Sequence, residues 1–241
     1  MIVLYTDFGL SGPYLGQVKA VLHREAPGIA IVDLCADAPT FDPYAAAYLL
    51  GALTPEFPPG SIFLGVVDPG VGTTRGAVAI FADGRWYVGP DNGLFEVVAR
   101  RANEVQWWNI TWRPQRLSAS FHGRDLFAPV VAELAKGRAV PGGELRPWTP
   151  CPDWPDDRPA LIYRDHYGNC MTGLRMTMLP DHAILEVADQ RLSWARTFGE
   201  VPKGTAFWYE NSIGLIEVAV NCGNAATLLG LKIGDPVQIV F

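Results

Sequence analysis

Lysine is scarce in this 241-residue chain: Lys19, Lys136, Lys203 and Lys232 stand against fifteen arginines. Acids outnumber bases, giving a net charge of −6 and a pI of about 5.2. That argues against nucleic acid as a partner, because phosphate backbones select basic surfaces. Mild acidity suits a cationic small substrate, and it equally suits solubility alone. The four cysteines (Cys35, Cys151, Cys170, Cys222) lie far apart with no Cys-x-x-Cys pair, so a zinc site is not expected and free thiols in a reducing compartment are. No run approaches the roughly 18 apolar residues of a membrane span. The opening residues lack the basic and apolar regions of a signal peptide. A cytoplasmic protein without a membrane partner is the expectation. Also missing are a Gly-x-Gly-x-x-Gly after the first strand, a P-loop lysine, a Gly-x-Ser-x-Gly elbow and a His-Glu-x-x-His pair, which removes the common dinucleotide, ATPase, serine-hydrolase and zincin readings.

Hydrophobic residues make up 49% of the chain and charged ones 18%, so a sizeable core is expected and disorder is not. Apolar runs at Ile2 to Tyr5, Ile29 to Leu34 and Ser61 to Val67 read as strands. Helical spacing predicts helices over Pro13 to Arg24, over Asp42 to Leu53 after an Asp-Pro cap signal and over Leu94 to Arg101, while His122 to Lys136 starts polar and becomes helical through Ala128 to Ala135. Gly76 to Phe81 and Arg85 to Val88 flank Asp83-Gly84, a hairpin signal. The alternation predicts an α/β class with an N-terminal α/β/α domain, 1–139, around a mostly parallel sheet. Residues 140–159 hold six prolines and two tryptophans and read as a stiff linker. Short strand-like runs at Ala160 to Tyr163, Ala183 to Val187, Thr205 to Tyr209, Leu215 to Val220 and Val237 to Phe241 predict a small C-terminal β-barrel domain, 160–241.

The segment from Gly65 to Gly76 is the richest in chemistry. A buried strand ends on Asp68, a Pro-Gly turn and a second glycine follow, and Arg75 arrives seven residues later. Ligands in open α/β sheets bind outside the carboxyl ends of strands. Thr6-Asp7-Phe8-Gly9 places another carboxylate at a strand end, where it can accept two sugar hydroxyls. Phe121-His122-Gly123-Arg124-Asp125 sets a histidine beside a glycine that lets a ligand approach. Two of the other three histidines read as surface groups: His23 on a helix, and His182 in a turn after Pro180-Asp181. Asp165-His166-Tyr167-Gly168-Asn169 combines a carboxylate, an aromatic face and an amide, the equipment for stacking and hydrogen-bonding a base. Asn211-Ser212 and Asn221-Cys222 flank one strand. Each of these has an ordinary structural reading as a turn, a cap or an ion pair.

Taken in order, these segments, with Gly89-Pro90-Asp91-Asn92-Gly93-Leu94, resemble the SAM hydroxide adenosyltransferases, relatives of the fluorinase and chlorinase. The resemblance covers essentially the whole chain. It implies an N-terminal α/β domain and a C-terminal β-barrel, a homotrimer with sites at subunit interfaces, and hydrolysis of S-adenosyl-L-methionine (SAM) to adenosine and L-methionine by attack of water at the ribose C5′. SAM is then a substrate, and no cofactor or metal is implied. The catalytic trio maps to Asp68, Arg75 and His122. Asp7 would hold the ribose hydroxyls, and Phe8, Phe41 and Phe121 would line the pocket. Asp165 would meet the methionine ammonium and Ser212 its carboxylate. Asn169 would hydrogen-bond adenine, with Tyr167 stacking and the Cys222 backbone nearby. The chain departs from some relatives in lacking an acid across Leu10-Ser11-Gly12-Pro13, and from the fluorinase in having Ile213 after Ser212.

SAM's sulfonium leaves readily, so the difficulty is the nucleophile: water, a very weak acid, must lose or share a proton. His122 or Asp68 can accept it, whereas Arg75 stays protonated and can only stabilise developing charge. The rivals are a halide adenosyltransferase, although that branch lacks the trio, a non-catalytic SAM- or adenosine-binding module, and a metallohydrolase built on Asp7, Asp68, His122 and Asp125.

Overall fold

The computed structural model describes residues 1–178 and 183–240. The chain forms two compact units, Met1–Pro152 and Asp153–Phe241. The turn expected at Pro180-Asp181-His182 and the last residue of the expected C-terminal strand lie outside the described residues.

In the first unit the elements run β1 (Ile2–Thr6), α1 (Tyr14–Glu25), β2 (Ile31–Cys35), α2 (Pro43–Leu53), β3 (Ile62–Val66), β4 (Ala77–Ala82), β5 (Arg85–Pro90), α3 (Glu96–Arg101), β6 (Val105–Ile110), α4 (Ala128–Ala135) and β7 (Gly143–Arg146). They build one seven-stranded sheet in the order β2-β1-β3-β5-β4-β6-β7. Strands β1 and β3 are buried throughout, which is why they read as unbroken apolar runs. On one face Val18 and Leu22 of α1 and Val130 and Val131 of α4 pack with Ile2, Leu4, Ile62 and Leu64. On the other, the Tyr5 hydroxyl donates to Ala46 O of α2 at 2.9 Å. Helix α2 starts as its sequence predicts: Asp42 Oδ1 accepts from Ala45 N–H at 2.9 Å, and Pro43 takes the first turn, where no N–H is needed.

The sheet expected to be mostly parallel is mixed. Pairings β1–β2, β1–β3 and β3–β5 are parallel, while β4–β5, β4–β6 and β6–β7 are antiparallel. The predicted Asp83-Gly84 hairpin is the cause. Both turn residues have positive φ, 43° and 79°, the geometry a tight hairpin requires, and the strands beyond it continue in the antiparallel sense. Strand β7 lies inside the stretch expected to be a linker.

The second unit contains β8 (Arg158–Arg164), β9 (Cys170–Arg175), β10 (Ile184–Val187), β11 (Gln190–Leu192), β12 (Ala206–Glu210), β13 (Leu215–Val220), α5 (Ala225–Leu229) and β14 (Val237–Val240). Its strands form two antiparallel sheets, β11-β10-β14 and β12-β13-β9-β8, rather than one continuous closed sheet. Isolated bridges occur at Ala160–Pro236 and at Trp194–Trp208. Leu161, Leu185, Trp208, Ile216 and Val218 are among its fully buried core residues.

Candidate functional site

Strands β1 and β3 run side by side in parallel, with Thr6 opposite Val66. Their carboxyl ends therefore deliver Asp7 and Asp68 to the same edge of the sheet. Asp7 N–H donates to Val66 O at 3.2 Å, Ala38 N–H to Thr6 O at 3.0 Å and Gly9 N–H to Ala36 O at 2.6 Å. Burial pushes the Asp7 carboxyl above its usual value. An N–H from Phe41, 3.2 Å from Oδ2, opposes that, and the charge of Asp68 adds to it. Phe41 makes this contact from a left-handed backbone, φ 60°, with its side chain 75% exposed.

Beyond Asp68 the chain turns through Pro69-Gly70 and returns with Arg75. The guanidinium grips Asp68 with two bonds, Nε to Oδ1 at 3.0 Å and Nη2 to Oδ2. Both side chains are nearly shut off from water, 8% and 4% exposed. Arg75 Nη1 donates to Gly76 O at 2.6 Å, and its Cζ lies 5.4 Å from the centre of the Phe127 ring. Nη2 also stands 3.1 Å from His122 Nδ1. Burial first, and then the positive charges of Arg75 and Arg113, lower the His122 pKa, while Asp68 and Asp125 work the other way. His122 precedes a π-turn, Gly123–Phe127, that leads into α4. The two loops that present the trio touch at Gly72, where φ is 79° and an added Cβ would lie 2.5 Å from Ala119 O.

Gly89-Pro90-Asp91-Asn92-Gly93-Leu94 supports this floor. Asn92 Nδ2 donates to Val67 O at 2.9 Å, steadying the strand end before Asp68. An added Cβ on Gly89 would fall 2.1 Å from Gly65 O, and the Phe95 ring covers both glycines. Phe8 and Phe121 meet at 5.7 Å between ring centres, and Tyr14 packs edge-on against Phe121 at 5.4 Å. A Cβ on Gly123 would approach Phe8 to 3.0 Å, so any larger residue after His122 requires the Phe8 ring to shift. In this unit Arg75 touches both Asp68 and His122, Phe41 bonds Asp7, and Phe8 packs against Phe121. Tyr14 and Asn92 were not singled out as site residues. Among the described residues no three His, Cys, Asp or Glu groups converge as a metal would need.

The second unit carries a pocket of about 540 Å³ lined by Asp165, Tyr167, Asn169, Phe198, Tyr209 and Cys222 with their neighbours. Its floor is the turn between β8 and β9. Asp165 Oδ1 accepts from Asn169 N–H at 2.8 Å and Oδ2 from Asn169 Nδ2 at 3.0 Å. Gly168, φ 86°, closes the turn against α5, and an added Cβ would lie 2.1 Å from the Asn224 side chain that caps that helix. Tyr167 stands 74% exposed at the rim, and Cys222 has a left-handed backbone, φ 56°. Ser212 is exposed in the Asn211–Gly214 turn and does not line this pocket. Sequence reasoning missed Phe198, Tyr209 and the buried Glu217. The last of these had a signal, a lone acid inside the apolar run Leu215 to Val220.

Two family models match the chain: the SAM hydroxide adenosyltransferase N-terminal domain over residues 2–142 and its C-terminal domain over residues 160–238. The chain belongs to the SAM hydroxide adenosyltransferase family. It is 42% identical to the (R)-S-adenosyl-L-methionine hydrolase of Thermus thermophilus, with 99% of each chain covered. A fluorinase of Nocardia brasiliensis is 25% identical over 99% of this chain and 96% of its own. Among solved structures, an uncharacterized conserved protein of Thermotoga maritima matches with a TM-score of 0.89 at 31% identity over the whole of both chains.

Proposed function

We propose that the protein hydrolyses SAM to adenosine and L-methionine. The observation that carries this reading is the contact of Asp68, Arg75 and His122 at the carboxyl edge of the sheet. A water oxygen attacks C5′, the C5′–S bond breaks, and its electron pair stays on sulfur as the methionine thioether. One proton must leave the water. Arg75 offers only donors, so the His122 nitrogen facing it must accept, and the neutral ring then carries its proton on Nε2. Such a ring has no lone pair free for a base. Asp68 therefore takes the proton, while Arg75 stabilises the developing hydroxide and His122 Nε2–H helps to hold the water in line with the C5′–S bond.

In the same reading Asp7 accepts the ribose hydroxyls, and Phe8, Phe41 and Phe121 form apolar walls. Tyr167 stacks on adenine and Asn169 bonds its edge, with the Cys222 backbone alongside. Asp165 keeps lone pairs for the methionine ammonium, and Ser212 takes the carboxylate. Neither cluster alone supplies all that SAM requires, which supports a homotrimer whose sites form at subunit interfaces. The bridges Ala160–Pro236 and Trp194–Trp208 support reading the second unit as a β-barrel closed at both junctions of its sheets. A cytoplasmic location fits the four unpaired cysteines, and no described helix is long and apolar enough to cross a membrane.

Incubation with SAM in ¹⁸O-water, followed by chromatography and mass spectrometry, tests the reading. Adenosine labelled at the 5′ oxygen and methionine are expected. A 5′-halogenated nucleoside formed with chloride or fluoride present would favour halide transfer instead. Tight binding with SAM left intact would favour a non-catalytic module.

A further inference from the structure

Among the described residues only Arg75 hydrogen-bonds the His122 ring, so the backbone that carries the ring must fix its place. That backbone is tied down at Ser118 and at Asp125. Ser118 N–H donates to Asp125 Oδ2 at 2.9 Å, Phe121 N–H to Ser118 O at 3.4 Å and Asp125 N–H to Phe121 O at 3.2 Å. The Asp125 carboxylate thereby closes the loop from Ser118 to Asp125, and His122 projects from it. Arg124 grips the same carboxylate, Nε to Oδ1 at 2.6 Å and Nη2 to Oδ2 at 2.9 Å. Its remaining nitrogen, Nη1, donates to Gln17 Oε1 of α1 at 2.7 Å, and its Cζ lies 5.0 Å from the centre of the Phe121 ring.

Neighbouring side chains on a helix do not face each other, so this fork is not a by-product of helix geometry. The pair is sheltered, with Arg124 29% and Asp125 14% exposed. Arg124 holds the Asp125 carboxyl below its usual value, and the Ser118 N–H adds to that. Asp125 is thus a fixed negative charge just beyond His122 in the chain. The charges that act on the imidazole are Arg75 and Arg113 on one side and Asp68 and Asp125 on the other.

We propose that Arg124 and Asp125 are positioning residues for the hydrolysis: locked to each other, to Gln17 and to Ser118, they hold the His122 turn so that the imidazole meets Arg75 beside Asp68. The inference rests on the proposed reaction at that trio. The Asp125 carboxylate answers the Ser118 N–H and two guanidinium nitrogens at once. Asparagine there can keep the Ser118 bond, but with one oxygen and an NH₂ it cannot accept both arms of the fork. Breaking the lock lets the turn shift, and a displacement of about 1 Å at a reacting group can cost as much as about 100-fold in rate.

Asp125→Asn and Arg124→Met, assayed for SAM turnover across pH, test this. In Asp125→Asn kcat should fall by about tenfold or more, with KM for SAM within about twofold of wild type. The two variants should move the acid limb of kcat in opposite directions. Losing the Asp125 charge disfavours the imidazolium, so the limb shifts to lower pH. Losing Arg124 leaves Asp125 unneutralised, which favours the imidazolium, so the limb shifts to higher pH. A merely structural role would lower the melting temperature and leave both limbs and the kcat of the folded fraction unmoved, a result that would overturn the proposal. ¹⁵N NMR of the His122 ring reads the placement without turnover: the wild type should hold its proton on Nε2, and both variants should lose that preference. If the wild type leaves SAM intact, the proposed activity fails, and the ring measurement still decides the lock, with an unchanged preference in the variants overturning it. Should either variant not fold, Gln17→Leu unties Arg124 from α1 without stranding a charge, and kcat should fall by about threefold. Wild-type kcat in Gln17→Leu would overturn the lock.

Discussion

Arg75 Nη2 stands 3.1 Å from His122 Nδ1, and a guanidinium has only donors to offer. That single contact orients the imidazole and determines which nitrogen carries its proton. It also couples the ring to Asp68, because Nη2 bonds that carboxylate as well. Protonating His122 would set two cations against each other in a half-buried site.

The pH dependence follows. The folded-state pKa of His122 lies below its ordinary 6.5, through burial first and then the charge of Arg75. Between that lowered value and 6.5 the unfolded chain binds more protons than the folded one, so stability rises with pH across this window and is lost as pH falls through it. The acid limb of kcat against pH should likewise lie below 6.5. In His122→Asn, whose amide can accept from Arg75 but does not titrate, the His122 limb should vanish and kcat should fall by about 100-fold. A wild-type limb above 6.5 would contradict this arrangement.

Arg75→Met should be costly in two separable ways. It leaves Asp68 buried without its cation, which destabilises by about 3–5 kcal/mol, and the pair's 8% and 4% exposures leave little room for water to compensate. It also removes the group placed to stabilise hydroxide, lowering kcat by about 100-fold or more. Adding Asp68→Asn should restore most of the stability, because the unpaired charge is gone, and none of the activity. Urea denaturation and steady-state assays read the two effects independently.

Local signals made much of this molecule legible before its structure. The Asp42-Pro43 cap, the Asp83-Gly84 hairpin and the apolar runs before Asp7 and Asp68 each encode their own geometry within a few residues. Direction of pairing was legible only at the Asp83-Gly84 hairpin, because elsewhere an apolar run reads alike in a parallel and an antiparallel sheet. Strand β9 was hidden by Gly173, which weakens a strand signal; it is needed because a Cβ there would lie 2.6 Å from the Arg158 Cβ. In the site, Asp68 and Arg75 are seven residues apart and readable as a pair. His122 is 47 residues beyond Arg75 and joins them only through the fold.

Gly72→Ala should separate steric from conformational cost. Gly72 and Gly28 have similar positive φ, 79° and 82°, so alanine at either carries a backbone penalty of about 1–2 kcal/mol. Only at Gly72 does the new Cβ also strike a neighbour, Ala119 O at 2.5 Å, whereas nothing lies within 4 Å at Gly28. Thermal melts should show Gly72→Ala the less stable by about a further 1 kcal/mol or more. Its kcat should drop as well, because the collision pushes the Asp68–Arg75 loop away from the loop that carries His122. Gly28→Ala should keep kcat. Equal melting points and equal turnover would mean that the Gly72 contact does not hold the two loops in register.

Whether a SAM site draws on two subunits can be read from mixed oligomers. Asp68→Ala removes the acceptor from the first unit, and Tyr167→Ala removes the stacking face from the second, an exposed residue whose loss should not disturb folding. Each variant alone should turn over slowly at SAM concentrations well below KM. Co-expressed one to one, a homotrimer with each site shared between neighbours contains about a quarter of its sites with both halves intact, because each half is drawn independently. Activity should rise toward that fraction of wild type. If every site lay within a single subunit, each would carry one defect or the other, and the mixture would show only the average of the two variants. Sedimentation of the same samples checks that the mixed species are trimers, so that a failure to assemble is not mistaken for a site confined to one chain.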